Sequence, residues 1–169
     1  EAPKIFQANC ARFRIHRRFQ LIIMPCNTFS TLSATDRKDT LLAVKNHLIP
    51  GGRFVFCIPN PKVLKKLPKE SEPEVEDIFL HPSDGEPVQV SSSWRRSEKD
   101  FTLLWIYDHL LSDGTVKRTQ IEIVHQLITA EDYLDEIQAS GLNLKAIYGD
   151  FKKKPYKSSS SALIIQASL

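Results

Sequence analysis

Two apolar runs joined by a helical pattern constrain this chain more than anything else in it. FQLIIMP, residues 19–25, is apolar apart from Gln20 and closes on a proline. That is the content of a parallel strand buried on both faces, and it predicts a central place in a sheet. RFVFCIPNP, residues 53–61, is rich in β-branched and aromatic side chains and also ends at prolines, which marks a second central strand. Between them Ser33 and Asp36 have the spacing of a capping box. Leu41, Val44 and Leu48 then recur at helical spacing until Pro50-Gly51-Gly52 stops the pattern. The expectation is a helix over residues 35–48. Strand, helix and strand in this order form a right-handed crossover between neighbouring parallel strands.

The chain keeps α/β order at both ends and departs from it in the middle. Residues 4–8 read as a further short strand. Residues 62–77, KVLKKLPKESEPEVED, are rich in Lys, Glu and Pro and lack an apolar period, so an irregular excursion is expected there. Residues 88–98, 101–112 and 115–127 then read as three long strands. Asp113-Gly114 is a strong hairpin signal between the last two, and the set predicts an antiparallel meander. Thr129 and Asp132 in TAED form a second capping box, with Tyr133 and Ile137 on the buried face and Gly141 at the C-cap. LNLKAIYGD and ALIIQASL follow as an antiparallel pair at a sheet edge.

With 169 residues, 41% of them apolar, the chain is expected to fold as a single domain, residues 1–169, with residues 62–128 as an insertion within it. A formal charge of +3 is too small to indicate a nucleic-acid scaffold, and the KKKPYK run over residues 152–157 reads first as a solvated loop. Nucleic acid is therefore not expected as a partner. Cys10, Cys26 and Cys57 show no metal-ligand spacing and read as reduced thiols, so no metal is assigned and a cytoplasmic location is expected. The chain has no apolar run of spanning length and no signal-peptide pattern, so no membrane association is expected.

FQLIIMPCNTFSTL, a helix and then LIPGGRFVFCIPNP resemble the stretch that class I S-adenosylmethionine (SAM)-dependent methyltransferases write as FDLIxxxxxxxxHL, helix, LxPGGxxxxxxxN. VHQLITAEDYLDEIQASGLNLKAIYGDF is similar to the same family's HxxRxFTxEELxxLLxxAGF and the strand after it. The two segments cover most of the chain outside residues 62–122. The resemblance implies an α/β fold: a partial Rossmann-like, doubly wound sheet with an inserted three-stranded antiparallel meander. In this family the first strand ends in a GxGxG loop, which none of the six glycines forms here. The chain thus resembles the larger C-terminal part of the domain, beginning after two strands, and weak or absent SAM binding is expected of it alone. A glycine loop at a helix N-terminus brings backbone N–H groups to the cofactor's polar end, which side chains do not easily replace.

The resemblance also implies a cofactor site. ANCARF is similar to the family's GDMRDF, which puts Asn9 at the position that accepts from the adenine amino group and Cys10 where a backbone N–H meets the ring. Met24, Pro25 and Cys26 are expected to line the floor near the transferred methyl, with Phe29 beside the cofactor. Asn9 equally suits a side-chain-to-backbone turn, and Asn27, Thr28 and Ser30 either position an acceptor or satisfy their own loop. His125 stands at the family's HxxR histidine without the arginine and reads as structural. Trp94, Trp105 and Tyr107 fall on the meander as an acceptor pocket, a pairing surface or plain sheet packing.

The function implied is SAM-dependent methyl transfer to a nitrogen or oxygen of a small molecule, incomplete in this chain. The inserted strands resemble those of small-molecule N-methyltransferases. The alternative is a non-catalytic methyltransferase-like module acting through oligomerisation or a partner. A homo-oligomer is expected, because a sheet that starts at its third strand leaves an edge and apolar surface uncovered.

Overall fold

The computed structural model describes residues 2–169. The chain divides into two compact units, one formed by the chain up to Val63 together with Ile128–Leu169, the other by Leu64–Leu127.

The first unit begins with a segment that forms no strand. Residues 4–8 are extended and exposed, with Ile5 91% accessible, which corrects the strand expected there. A strand needs a neighbour to complete its ladder, and among the described residues this segment has none. Strand β1 (Phe19–Met24), the single turn α1 (Thr28–Thr31), helix α2 (Ala34–His47) and strand β2 (Leu48–Pro59) follow, and β1 and β2 pair in parallel as expected. The turn α3 (Pro61–Leu64) leads out of this unit. Beyond the other unit, the chain returns to the first as helix α4 (Ala130–Ala139) and the last two strands, Asn143–Tyr148 and Ala162–Ser168, an antiparallel pair. The sheet order is β1, β2, last strand, penultimate strand.

The expectation that β1 is central needs correcting. Among the described residues β1 is an edge strand. Ile22 and Met24 pack on the core, whereas Leu21 and Ile23 on the opposite face are 55% and 63% exposed. β2 is the strand buried as predicted, with Phe54, Phe56 and Ile58 at 1% exposure or less. The prolyl-diglycine that stops α2 also makes the close approach of the two strands feasible. A Cβ on Gly52 would lie 2.9 Å from the carbonyl oxygens of both Ile49 and Phe19, and Gly51 has φ +76°. The register of β1 on β2 shifts at this point, between Phe19 and Leu21.

Both predicted caps are present. Ser33 accepts from the Asp36 N–H at the start of α2, and Thr129 with Asp132 forms the complete reciprocal box of α4. Leu41, Val44 and Leu48 from the α2 region meet Tyr133 and Ile137 of α4 in one core with Phe29, Phe54 and Phe56. Phe29 is the hinge of the aromatic group, 4.4 Å from the Phe56 ring and 6.0 Å from Tyr133. Fully burying side chains of this size contributes about 1.5–3 kcal/mol each.

One ion pair locks the two helices. Arg37, 3% exposed, donates from Nε and Nη2 to the Glu136 carboxylate at 2.7–3.1 Å and from Nη1 to the Leu32 carbonyl at 2.8 Å. Burial works against the guanidinium charge, but the bonds and attraction from Glu136 outweigh it and hold the pKa above its ordinary value. Removing only Glu136 leaves that charge unpaired, so Glu136→Ala is expected to lower the unfolding free energy by about 3 kcal/mol. Urea titration of both proteins checks this, and a loss under half that size would mean that water reaches Arg37.

The second unit is a wholly antiparallel sheet, with one strand more than the meander expected. It runs β3 (Glu74–Leu80), β4 (Pro87–Arg96), β5 (Asp100–Leu110) and β6 (Val116–Gln126), in spatial order 3-4-5-6. The pair in the first unit thereby becomes β7 (Asn143–Tyr148) and β8 (Ala162–Ser168). β3 begins inside the stretch expected to be irregular. EVEDIFL mixes acids with β-branched and aromatic residues, and the ladder offered by β4 overrides a composition that disfavours order. The turns follow the sequence signals: Gly114 sits at φ +81°, and the Asp113 carboxylate accepts from the Thr115 N–H at 2.9 Å.

His125 on β6 is 6% exposed beside Phe101, and burial holds its pKa below the ordinary 6.5. The unfolded chain therefore binds the proton more readily, so this residue's contribution is complete above pH 6.5 and is lost as pH falls through the depressed folded-state value. Unfolding midpoints measured across that range are expected to drop with acid in the native chain, and the slope should flatten in His125→Gln.

Candidate functional site

Parallel pairing sets where the first unit can bind a ligand. β1 and β2 run the same way with Met24 opposite Phe56, so their carboxyl ends share one edge of the sheet. β8 is antiparallel to β2 with Ala162 opposite Pro59, and Tyr148 of β7 faces Ile164 of β8. The loop between β7 and β8, residues 149–161, therefore emerges at the same edge. Open α/β sheets bind ligands at the carboxyl ends of their parallel strands.

At the end of β1, Met24 is half-buried, Pro25 and Cys26 are exposed, and Cys26 and Asn27 adopt the left-handed backbone, φ 57° and 58°. Two successive non-glycine residues in that region are held only by a surrounding structure that over-determines them. The restraints are local. Thr28 Oγ1 donates to the Pro25 carbonyl at 2.9 Å, Ser30 Oγ to Asn27 at 2.8 Å and Thr31 Oγ1 to Thr28 at 2.8 Å. The hydroxyls of Thr28 and Ser30 thus follow the reading in which they satisfy their own loop. Phe29 has no exposed surface and supports this turn from the core beneath it.

Asn9 and Cys10 lie on another element. Residues 9–16 form a strap fastened along α2. Thr40 Oγ1 reaches Cys10 Sγ at 3.7 Å, the Ile15 N–H donates to His47 Nε2 at 3.1 Å, and the Phe13 ring stacks on His47 at 4.5 Å. Asn9 Oδ1 accepts from the Ala11 N–H at 2.8 Å, the local turn anticipated as one of its two roles, and the residue is exposed. The strap and α2 border an open cleft of about 880 Å³ lined by Arg12, Phe13, Arg14, Asp39 and Asn46 among others. Neither Asn9 and Cys10 nor residues 24–29 line it, so none of the expected cofactor residues belongs to this cleft.

Asn60 had no role assigned from the sequence beyond closing the PGGxxxxxxxN pattern. It is 1% exposed at the end of β2 and is the polar hub of this edge. Its Nδ2 donates to the carbonyls of Lys157, Ser158 and Ser160 at 3.3, 3.2 and 2.8 Å. Its Oδ1 accepts from Tyr156 Oη at 2.8 Å and the Lys62 N–H at 3.0 Å. The lysine-rich loop is thereby pinned over the carboxyl edge. An isolated Asn between two prolines carries only a turn signal, and partners nearly a hundred residues away are invisible to spacing. Of the other candidates, Trp94, Trp105 and Tyr107 fall on one face of the second unit's sheet, since Trp94 is opposite Leu103 and the three alternate in register. His125 is part of that unit's packing.

No family model matches the chain, and no curated protein matches its sequence. Solved structures do match. A S-adenosylmethionine-dependent methyltransferase from Clostridium acetobutylicum is 19% identical over 99% of this chain and 65% of its own, with a TM-score of 0.83. The sugar N-methyltransferase KedS8 from Streptoalloteichus sp. is 18% identical over 96% of this chain and 62% of its own, TM-score 0.73. The SAM-bound amino pentose methyltransferase CalS10 from Micromonospora echinaspora is 15% identical over 95% and 62%, TM-score 0.68. The fold is therefore that of the class I SAM-dependent methyltransferases. The chain spans less than two thirds of the length of these structures.

If Asn60 pins the loop, Asn60→Ala should cost about 1–3 kcal/mol for the carbonyls and hydroxyl left without their partner. It should also speed tryptic cleavage at Lys152, Lys153 and Lys157 well beyond what global destabilisation produces. Unchanged cleavage at those lysines would show that the loop is held by other contacts.

Proposed function

We propose that this chain serves SAM-dependent methyl transfer to a nitrogen or oxygen of a small-molecule acceptor. The observation that carries the reading is the methyltransferase fold over 99% of the chain, with a conformationally constrained turn at the carboxyl end of β1. SAM, when bound, supplies a methyl on a sulfonium for in-line displacement, a step that depends on orienting two reactants more than on acid-base power. Asn9 and Cys10 on the strap would receive the adenine, and Met24, Pro25 and Cys26 would form the floor under the sulfonium. These groups suit that half of the cofactor: the exposed Asn9 amide oxygen can accept from an amino group, and Met24 and Cys26 offer soft, weakly polar side chains. For the charged amino-acid end, these 169 residues contain no GxGxG loop. The sugar N-methyltransferase and the amino pentose methyltransferase among the similar structures favour a small amine or hydroxyl acceptor over a macromolecule.

Cytoplasmic residence remains part of the proposal, and no described helix is long and apolar enough to cross a membrane. Assembly through the second unit is proposed as well, because Val75, Ile78, Leu80 and Val116 expose 57–69% of their surface there. Light scattering should then report a mass above 19.3 kDa, and Ile78→Glu, on that exposed apolar face, should reduce it.

Amide shifts in the ¹⁵N-labelled chain titrated with S-adenosylhomocysteine test the cofactor assignment. Perturbations are expected at residues 9–11 and 24–27, saturating only at millimolar ligand. Low-micromolar saturation would contradict weak binding, and absence of shifts at those residues would favour the non-catalytic module.

A further inference from the structure

The second unit contains a grouping of side chains that methyl transfer does not use. His81 and Asp84 lie in the β3–β4 hairpin turn, and His109 lies near the end of β5. Their ligand atoms all fall within 4.8 Å of one another, the one such His/Cys/Asp/Glu group among the described residues. Asp84 is the centre. His81 Nδ1 is 3.3 Å from Asp84 Oδ1, and His109 Nε2 is 3.2 Å from Asp84 Oδ2. With bonds of about 2.0–2.1 Å, two ligands on a tetrahedral zinc ion stand about 3.3–3.4 Å apart, so both separations already match a tetrahedron's edge.

The turn holds its two ligands in place before any ion arrives. The His81 N–H donates to the Glu86 carbonyl and the Gly85 N–H to the His81 carbonyl, each at 2.8 Å, with Gly85 at φ +76°. Asp84 Oδ1 accepts from the Glu86 N–H at 3.1 Å, an outer bond that orients the carboxylate. The Ser83 N–H lies 3.4 Å from His81 Nδ1, a contact that an ion on this nitrogen would replace. His109 is fixed by the β4–β5 ladder opposite Val88, and the two imidazoles stack at 4.4 Å. Lys117, opposite His109 on β6, is the nearby charge that opposes a cation.

We propose that His81 Nδ1, the Asp84 carboxylate and His109 Nε2 form a binding site for a divalent ion of the zinc type. Two imidazoles and one carboxylate suit a borderline ion and are a poor set for calcium or magnesium, which take oxygen ligands in greater number. Three protein ligands leave the fourth position open, towards a depression of about 300 Å³ lined by Phe79, Tyr107, Lys117 and Thr119. Because β3 is exposed along its whole length, the ion would tie this edge hairpin to β5, the strand two places away. The inference does not depend on the methyl-transfer reading, since every ligand belongs to the second unit.

The test uses the untagged chain stripped with EDTA, and zinc ion alone as probe, in competition with a chromophoric chelator. One zinc per chain is expected, together with a raised melting temperature and no comparable effect of calcium or magnesium. His81→Gln, Asp84→Asn and His109→Gln should each weaken binding at least about tenfold, since loss of an outer-shell partner alone costs a metal site about 10–100-fold. His16→Gln should leave binding unchanged. Unaltered circular dichroism of the variants without metal separates loss of a ligand from loss of fold, and Asp84→Asn, the most conservative change, stands in should a histidine variant unfold. Zinc binding by the native chain no tighter than by the triple variant, or binding that survives all three substitutions, would overturn the proposal.

Discussion

Parallel pairing of β1 with β2 is the constraint on which the rest of the first unit depends. Two parallel strands cannot be joined by a hairpin, so α2 has to cross over and cover one face, and both strands have to end at the same edge. Gly52 permits that pairing where β2 begins, because any side chain there would meet the carbonyls of Phe19 and Ile49. Once β2 is set, β8 joins antiparallel and β7 follows, which delivers the 149–161 loop to the carboxyl edge. Asn60 fastens the loop there with hydrogen bonds from both ends of its amide.

Two kinds of interaction then divide the stabilising task. The aromatic core around Phe29, Phe54, Phe56 and Tyr133 is non-directional and sets compactness. The Arg37–Glu136 pair is directional and fixes how α2 and α4 face each other, at the cost of burying a charge that needs its partner. No residue of the second unit belongs to that core or that pair. Its four antiparallel strands are held by ladder bonds and by alternation of side chains across the sheet, and its tight turns are made by Gly85 and Gly114. Such turns bring residues of different strands side by side, which is how His81, Asp84 and His109 come to share one locus.

Legibility in the sequence tracked how local each feature is. The α2 and α4 caps and the Asp113-Gly114 turn depend on neighbours within a few residues, the crossover and the terminal pair show as apolar runs bounded by breakers, and all were readable. β3 was missed because Lys, Glu and Pro dominate its surroundings while its order comes from pairing with β4. The strand expected over residues 4–8 and the central place of β1 failed for the converse reason: strand character is only a capacity to pair, and partners are chosen by the tertiary fold. At the candidate site, the turn after Met24 was legible from the family-like motif, whereas Asn60, Tyr156 and the fastening of the strap to Thr40 and His47 were not.

By itself, then, the sequence determined the periodicities, the caps, the turns and the order of elements, because steric and hydrogen-bonding preferences act over one turn of helix or one hairpin. Only the tertiary structure decided which strand lies at an edge, which polar groups lose water, and which side chains separated by 25 to 99 residues meet as His109 meets Asp84 and Arg37 meets Glu136. Those outcomes depend on the sum of many weak contacts over the whole chain, and no single segment encodes that sum.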